Sequence, residues 1–154
     1  MISRLKRQPE HILRNGVHLR MIDQLHNGDI LTVILQEEAS HILPNPKLFV
    51  PIVYEDDDLI LFDKPAFMPV HPSIAHYSDT LANYFAYYME QKGLSLVFRP
   101  INRLDANTTG LCLVAKNAFC ANQLSGSLEK EYTAVLTGEF PQDQGIIDAP
   151  IARM

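Results

Sequence analysis

The residues best placed to do chemistry form the run Arg103-Leu104-Asp105-Ala106-Asn107-Thr108-Thr109-Gly110, between two apolar segments. A carboxylate such as that of Asp105 can act as a nucleophile or a base. The polar, turn-prone surroundings put it on a loop held at a strand end, where catalytic groups are often mounted. The same surroundings suit an aspartate that only closes a turn or a cap, and the run by itself does not separate the two. Asp56-Asp57-Asp58 reads as a hairpin turn, not a metal site, because consecutive carboxylates do not easily converge on one ion. Cys112 and Cys120 form no CxxC and have no His/Cys cluster beside them, so a zinc site is not expected. Their apolar neighbours predict buried free thiols. With no phosphate-binding glycine loop and no metal cluster, neither a cofactor nor a metal is expected.

Around this run the sequence predicts alternating strands and helices, an α+β domain. Ile52-Val53-Tyr54-Glu55 and Leu59-Ile60-Leu61-Phe62 read as strands flanking the aspartate turn. Residues 79–92 carry Leu81, Tyr84, Phe85, Tyr88 and Met89 on one helical face, with Ser78 or Asp79 as cap and Gly93 as stop. That aromatic stripe is read as core packing. Leu111 to Ala115 reads as a buried strand, and Asn117 as the cap of a helix carrying Phe119, Leu124 and Leu128. Glu131 to Leu136 reads as a further strand ended by Gly138. A smaller unit precedes these elements, over residues 1–38. It opens with a short helical segment ending near His11-Ile12-Leu13, turns at Asn15-Gly16 and Asn27-Gly28-Asp29, and continues as a strand over Ile30 to Leu35. Pro44, Pro46 and Pro51 fall in or beside residues 39–50, which read as a linker, and the main domain occupies 51–154.

Hydrophobic residues make up 47% of the 154 and charged residues 20%, the balance of a soluble globular protein. No apolar run approaches the ~20 residues of a membrane span, and the basic N-terminus lacks the apolar stretch of a signal peptide. A cytoplasmic protein is therefore expected. The net charge of -5 speaks against a uniformly basic nucleic-acid binder, but the charges are unevenly distributed. Residues 1–20 carry Arg4, Lys6, Arg7, Arg14 and Arg20 against the single acid Glu10. A phosphate-binding surface needs a local positive patch, not a positive total, although such a cluster is also what a solvated face looks like.

The 103–110 run resembles the R-L-D-x-x-T-S-G signature of pseudouridine synthases of the large-subunit ribosomal and transfer-RNA type. Other elements of that family flank it in order. Val53 to Ile60 is similar to the family's opening strand pair, and Lys64-Pro65-Ala66-Phe67-Met68-Pro69-Val70-His71-Pro72 to its K-P-x-G-x-x-V-H-P element. Gly110 to Lys116 resembles G-L-x-L-x-A-K, Lys130 to Ala134 resembles K-x-Y-x-A, and Ile147 to Arg153 resembles I-x-x-P-I-x-R. Residues 12–17 and 25–31 are similar to the later part of an S4-type RNA-binding domain. The resemblance implies an enzyme that isomerises uridine in ribosomal or transfer RNA, with RNA as partner and Asp105 as the essential carboxylate. It gives Arg103 the place vacated by the flipped base, and Tyr132 contact with the target base and a part in proton handling. Lys130, with Arg4, Lys6, Arg7 and Arg14, becomes a candidate RNA contact. Lys64, His71, Asn102, Thr108 and Thr109 shape the site. Read without the resemblance, Arg103 would be a salt-bridge residue and Tyr132 a core residue.

The sequence departs from the family pattern in four respects. Asn102 replaces a histidine, keeping hydrogen bonds but not charge. Thr109 replaces the serine, keeping a hydroxyl. Phe67 replaces a glycine, which is a strained substitution if the backbone there has positive φ. The family's later G-R-x-H-Q-I-R-type segment, whose arginine pairs with the catalytic aspartate, has no counterpart. The resemblance thus predicts a fragment whose sheet has an exposed edge. A homodimer formed through that edge, and RNA binding without catalysis, are the corresponding expectations.

Overall fold

The computed structural model describes residues 11–20, 22–34, 41–139, 142 and 144–150. Arg4, Lys6, Arg7 and the Ile151-Ala152-Arg153 end of the last motif lie outside the described residues. The architecture is α+β, with two antiparallel sheets and two helices among those residues.

The smaller sheet has the order β2-β1-β3, from β1 (Ile12–Arg14), β2 (Val17–His18) and β3 (Leu31–Val33). Asn15 and Gly16 have φ of 52° and 81°, and Arg14 pairs directly with Val17. Positive φ at both central residues makes the tight turn whose twist matches its flanking strands, which is why Asn-Gly occurs there. Asn15 also binds across to the third strand's approach, accepting from the Ile30 amide at 2.9 Å and donating to Asp29 at 3.0 Å. Residues 12–14 are a strand, so the expected opening helix does not reach Ile12 and Leu13; pairing on both sides by β2 and β3 overrides their local preference.

The larger sheet has the order β4-β5-β7-β6, from β4 (Ile52–Glu55), β5 (Leu59–Lys64), β6 (Arg99–Pro100) and β7 (Gly110–Ala115). Its inner face carries Ile60 opposite Val114 and Phe62 opposite Cys112, all fully buried. This face packs on α1 (Leu81–Gln91), where Phe62 meets Phe85 and Tyr84 edge-on at 6.5 and 6.0 Å. Cys120 is only half-buried, unlike Cys112.

Thr80, not Ser78 or Asp79, caps α1. Ser78 gives its carbonyl to Asn45 and Asp79 its carboxylate to His76, while the extended Thr80 forms a reciprocal pair with Asn83. Buried Asn83 also donates to the carbonyls of Leu43 and Tyr77, and so ties part of the expected linker to the helix. Asn117 caps α2 (Ala118–Leu124) as expected, but that helix ends before Leu128. Residues 131–136 are not a strand: no neighbouring strand pairs with them among the described residues, and without a ladder local preference does not hold an extended chain.

One end of the sheet is clamped by Glu55. Its Oε1 accepts from Lys92 and Lys116, each at 2.6 Å, and its Oε2 accepts from Tyr88 at 2.6 Å. Burial alone pushes this carboxyl up, but the bonds from Lys116, Lys92 and Tyr88 outweigh it and hold the group at about 2, against an ordinary 4.5. A carboxyl depressed on folding adds stability that is complete above its unfolded value and disappears as pH falls through its folded one. Glu55→Gln is expected to lower unfolding free energy at pH 7 by on the order of 2 kcal/mol, with allowance for screening of half-exposed Lys92. Urea titrations should then show the native and variant proteins converging between about pH 4.5 and pH 2. A constant gap down to pH 2 would remove the clamp's electrostatic account.

Candidate active site

The apolar run Leu59 to Phe62 has two faces, and the outer one is not covered by α1. Leu61 and Leu113, paired across β5 and β7, form part of the floor of a groove of about 830 Å³ together with Leu111. The 102–110 loop lines it through Asn102, Leu104, Asn107, Thr108, Thr109 and Gly110, and the 128–133 segment through residues that include Lys130 and Tyr132. Four expected site residues from two separate motifs therefore share one groove with Tyr132: Asn102, Thr108, Thr109 and Lys130. Leu61, Leu104, Asn107 and Leu113 were not singled out from sequence. The available signal was the unbroken apolar run on β5, which leaves a strand with two greasy faces.

Asp105 lies between Leu104 and Asn107, both groove residues, but is not itself part of the lining. It is exposed, and its carbonyl accepts from the Thr108 amide at 3.1 Å, closing a turn that presents the carboxylate to solvent. Among the described residues no ion pair reaches the Asp105 carboxylate, and none reaches the exposed Arg103 guanidinium. The Arg103 charge is nonetheless felt at His71. Burial holds that imidazole below its ordinary 6.5 and Arg103 lowers it further, both favouring the neutral ring. His71 packs edge-on against Phe98 at 5.1 Å.

Two residues fix this loop to the sheet. Asn102 spans β7 with its amide: Nδ2 donates to the Leu111 carbonyl at 2.9 Å and Oδ1 accepts from the Leu113 amide at 2.8 Å. One planar amide supplies donor and acceptor side by side, as a further strand would. Lys64 ends the buried row of β5, opposite Gly110, whose φ of 115° needs glycine. Its side chain is fully buried, and its ammonium donates to the carbonyls of Pro65 (2.9 Å), Met68 (2.7 Å) and Ala106 (3.2 Å). Burial lowers its pKa, while the charges of Cys112 and Asp105 pull it back up. Burial conversely pushes the Cys112 thiol up to about 11. The Met68 amide also donates to the Ala106 carbonyl at 3.2 Å, so the 65–68 loop and the Asp105 turn are joined twice.

The 65–68 loop carries Phe67 at φ 61° with its ring 83% exposed. A left-handed non-glycine residue costs roughly 1–2 kcal/mol. Arg14 donates to the Gln24 carbonyl at 2.8 Å and lies 3.9 Å from Asp29, so part of its capacity is used within the smaller sheet. Asp56 closes its turn by accepting from the Asp58 and Leu59 amides. No group of three or more His, Cys, Asp or Glu is arranged to hold a metal among the described residues. None of their helices is long and apolar enough to cross a membrane.

Residues 58–153 match the family model for RNA pseudouridylate synthase. The uncharacterized RNA pseudouridine synthase YlyB of Bacillus subtilis is 37% identical over 92% of the chain and 50% of its own length. The ribosomal large subunit pseudouridine synthase D of Pseudomonas aeruginosa is 33% identical over 90% of the chain and 45% of its own. The mitochondrial tRNA pseudouridine(32) synthase of Saccharomyces cerevisiae is 32% identical over 82% of the chain and 27% of its own. The chain spans about half the length of these bacterial relatives.

Proposed function

Because this chain belongs to the RNA pseudouridylate synthase family, we propose that it isomerises uridine to pseudouridine in ribosomal or transfer RNA, with Asp105 as the essential carboxylate. In this reaction the C1′–N1 bond breaks, the base turns, and a C1′–C5 bond forms. C5 gives up its proton and N1 gains one, so the sum is an isomerisation with no redox change. A carboxylate beside the sugar or base can act as nucleophile or base in such a sequence.

The observation that carries this reading is the convergence of the 102–110 loop with Lys130 and Tyr132 on one groove, with Asp105 exposed on that loop. A flipped uridine needs a pocket with apolar walls and polar edges, which Leu61, Leu113, Tyr132, Asn107 and Thr108 supply. Tyr132 is assigned contact with the target base. Arg103, free of ion pairs among the described residues, is assigned the gap the base leaves, and Lys130 the phosphate backbone. Residues 1–38 are assigned the role of an S4-like RNA-binding unit, with Arg4, Lys6, Arg7 and Arg14 as its cations. A cytoplasmic location and self-association through an edge strand, β4 or β6, belong to the same proposal.

A second reading, RNA binding without turnover, is supported by the lack of an ion pair at Asp105 among the described residues. Tritium release from RNA labelled at uridine C5 separates the two, since C5 loses its hydrogen only when the new C–C bond forms. Release from a ribosomal or transfer RNA pool is expected. RNA binding that weakens with salt, without any release, would instead leave a binding protein.

A further inference from the structure

Phe67 is a cost to the fold without a visible return to it. Its backbone is left-handed, its ring is 83% exposed, and among the described residues that ring packs on no other. The loop around it has little freedom to relax. Lys64 holds the carbonyls on both sides of it, the Met68 side chain is buried, and the Pro69 and Val70 carbonyls accept from the Leu81 and Ala82 amides at the start of α1. Glycine would fit this conformation without strain. A strained residue held by a rigid surround is a mark of function when nothing in the packing calls for it. The ring also stands one residue from Met68, whose amide binds the carbonyl of Ala106, the neighbour of Asp105.

We propose that the exposed ring of Phe67 is a stacking platform for an unpaired nucleobase of the RNA beside the target uridine. The proposal rests on the RNA-directed reading above. Taking one base out of its stack leaves a neighbour with a bare face, and unpaired bases in RNA are held by stacking on aromatic side chains. The rigid loop keeps the ring presented, so little freedom is lost when a base lands on it.

The test is fluorescence anisotropy with two labelled RNAs of equal length, a stem-loop with an unpaired uridine-containing loop and a full duplex. The proteins are the native chain, Phe67→Gly and Phe67→Tyr, each with a thermal melt. Phe67→Gly should bind the stem-loop roughly 5- to 100-fold more weakly, the range of one lost base–aromatic stack. Its duplex affinity should stay within about twofold, and it should melt no lower than the native protein, since strain is relieved. Phe67→Tyr should keep stem-loop affinity within about threefold, because the stacking face survives. Native-like stem-loop binding by Phe67→Gly would overturn the stacking role and leave the RNA reading standing. So would an equal loss on both RNAs, or a concentration-dependent self-association that only Phe67→Gly abolishes. If the native chain bound neither RNA, the RNA reading itself would fail and this proposal with it.

Discussion

Asp105→Asn is expected to reduce tritium release from C5-labelled RNA by on the order of 10⁴-fold, the scale of loss when a residue essential to a covalent step is removed. The same variant should melt within a degree or two of the native protein. Asp105 is exposed, and the hydrogen bond that holds its turn is donated by the Thr108 amide to its main-chain carbonyl, which asparagine retains. Asparagine is also nearly the same shape, so the groove keeps its lining. Affinity for RNA should change little, because one carboxylate contributes little to a surface bound through phosphates. The combination of lost turnover, retained affinity and retained stability distinguishes a chemical role from the turn-closing one that the sequence run equally suits. Substantial release by Asp105→Asn would move the chemistry to another group, with Tyr132 the first to examine.

How far the sequence foretold this arrangement depends on the range of the forces involved. The Asn15-Gly16 turn, β4, β5, β7 and the body of α1 were legible because each is set by local chemistry or by one face of regular periodicity. The cap of α1 was displaced to Thr80 because Ser78 and Asp79 are committed elsewhere, Ser78 to distant Asn45. Residues 131–136 read as a strand ended by Gly138, but a strand exists only in its ladder. At the site, the motif order brought Asp105, Thr108, Thr109, Lys130 and Tyr132 to notice, not their spacing within any element. The double fastening of the Asp105 turn was not legible at all. A lysine after Leu-Phe-Asp gives no sign that it lies fully buried among three carbonyls, one of them 42 residues further on.

That lysine carries the second large effect. Lys64→Met should destabilise the protein by about 2–4 kcal/mol and lower its melting temperature by roughly 5–15 °C. Methionine keeps most of the apolar stem packed beside Phe62. It leaves the Pro65 and Met68 carbonyls without a donor, however, and the Ala106 carbonyl with only the Met68 amide, and no side-chain change can remove these main-chain acceptors. Removing the desolvated ammonium offsets only part of this cost, because three carbonyls satisfy its three protons. Turnover should fall as well, by roughly 10²-fold in kcat, because Lys64 joins the 65–68 loop to Ala106 and a shift of about 1 Å at Asp105 is enough for such a loss. Glu55→Gln is the control for stability alone. Glu55 is next to the other end of β5, pairing with Ile60, about 13 Å along the strand from Lys64. Measured well below both melting temperatures, Glu55→Gln should keep its kcat while Lys64→Met does not. Equal kcat in the two would reduce Lys64 to a structural residue, and the Asp105 turn would then have to be positioned by Asn102 and its own Thr108 bond.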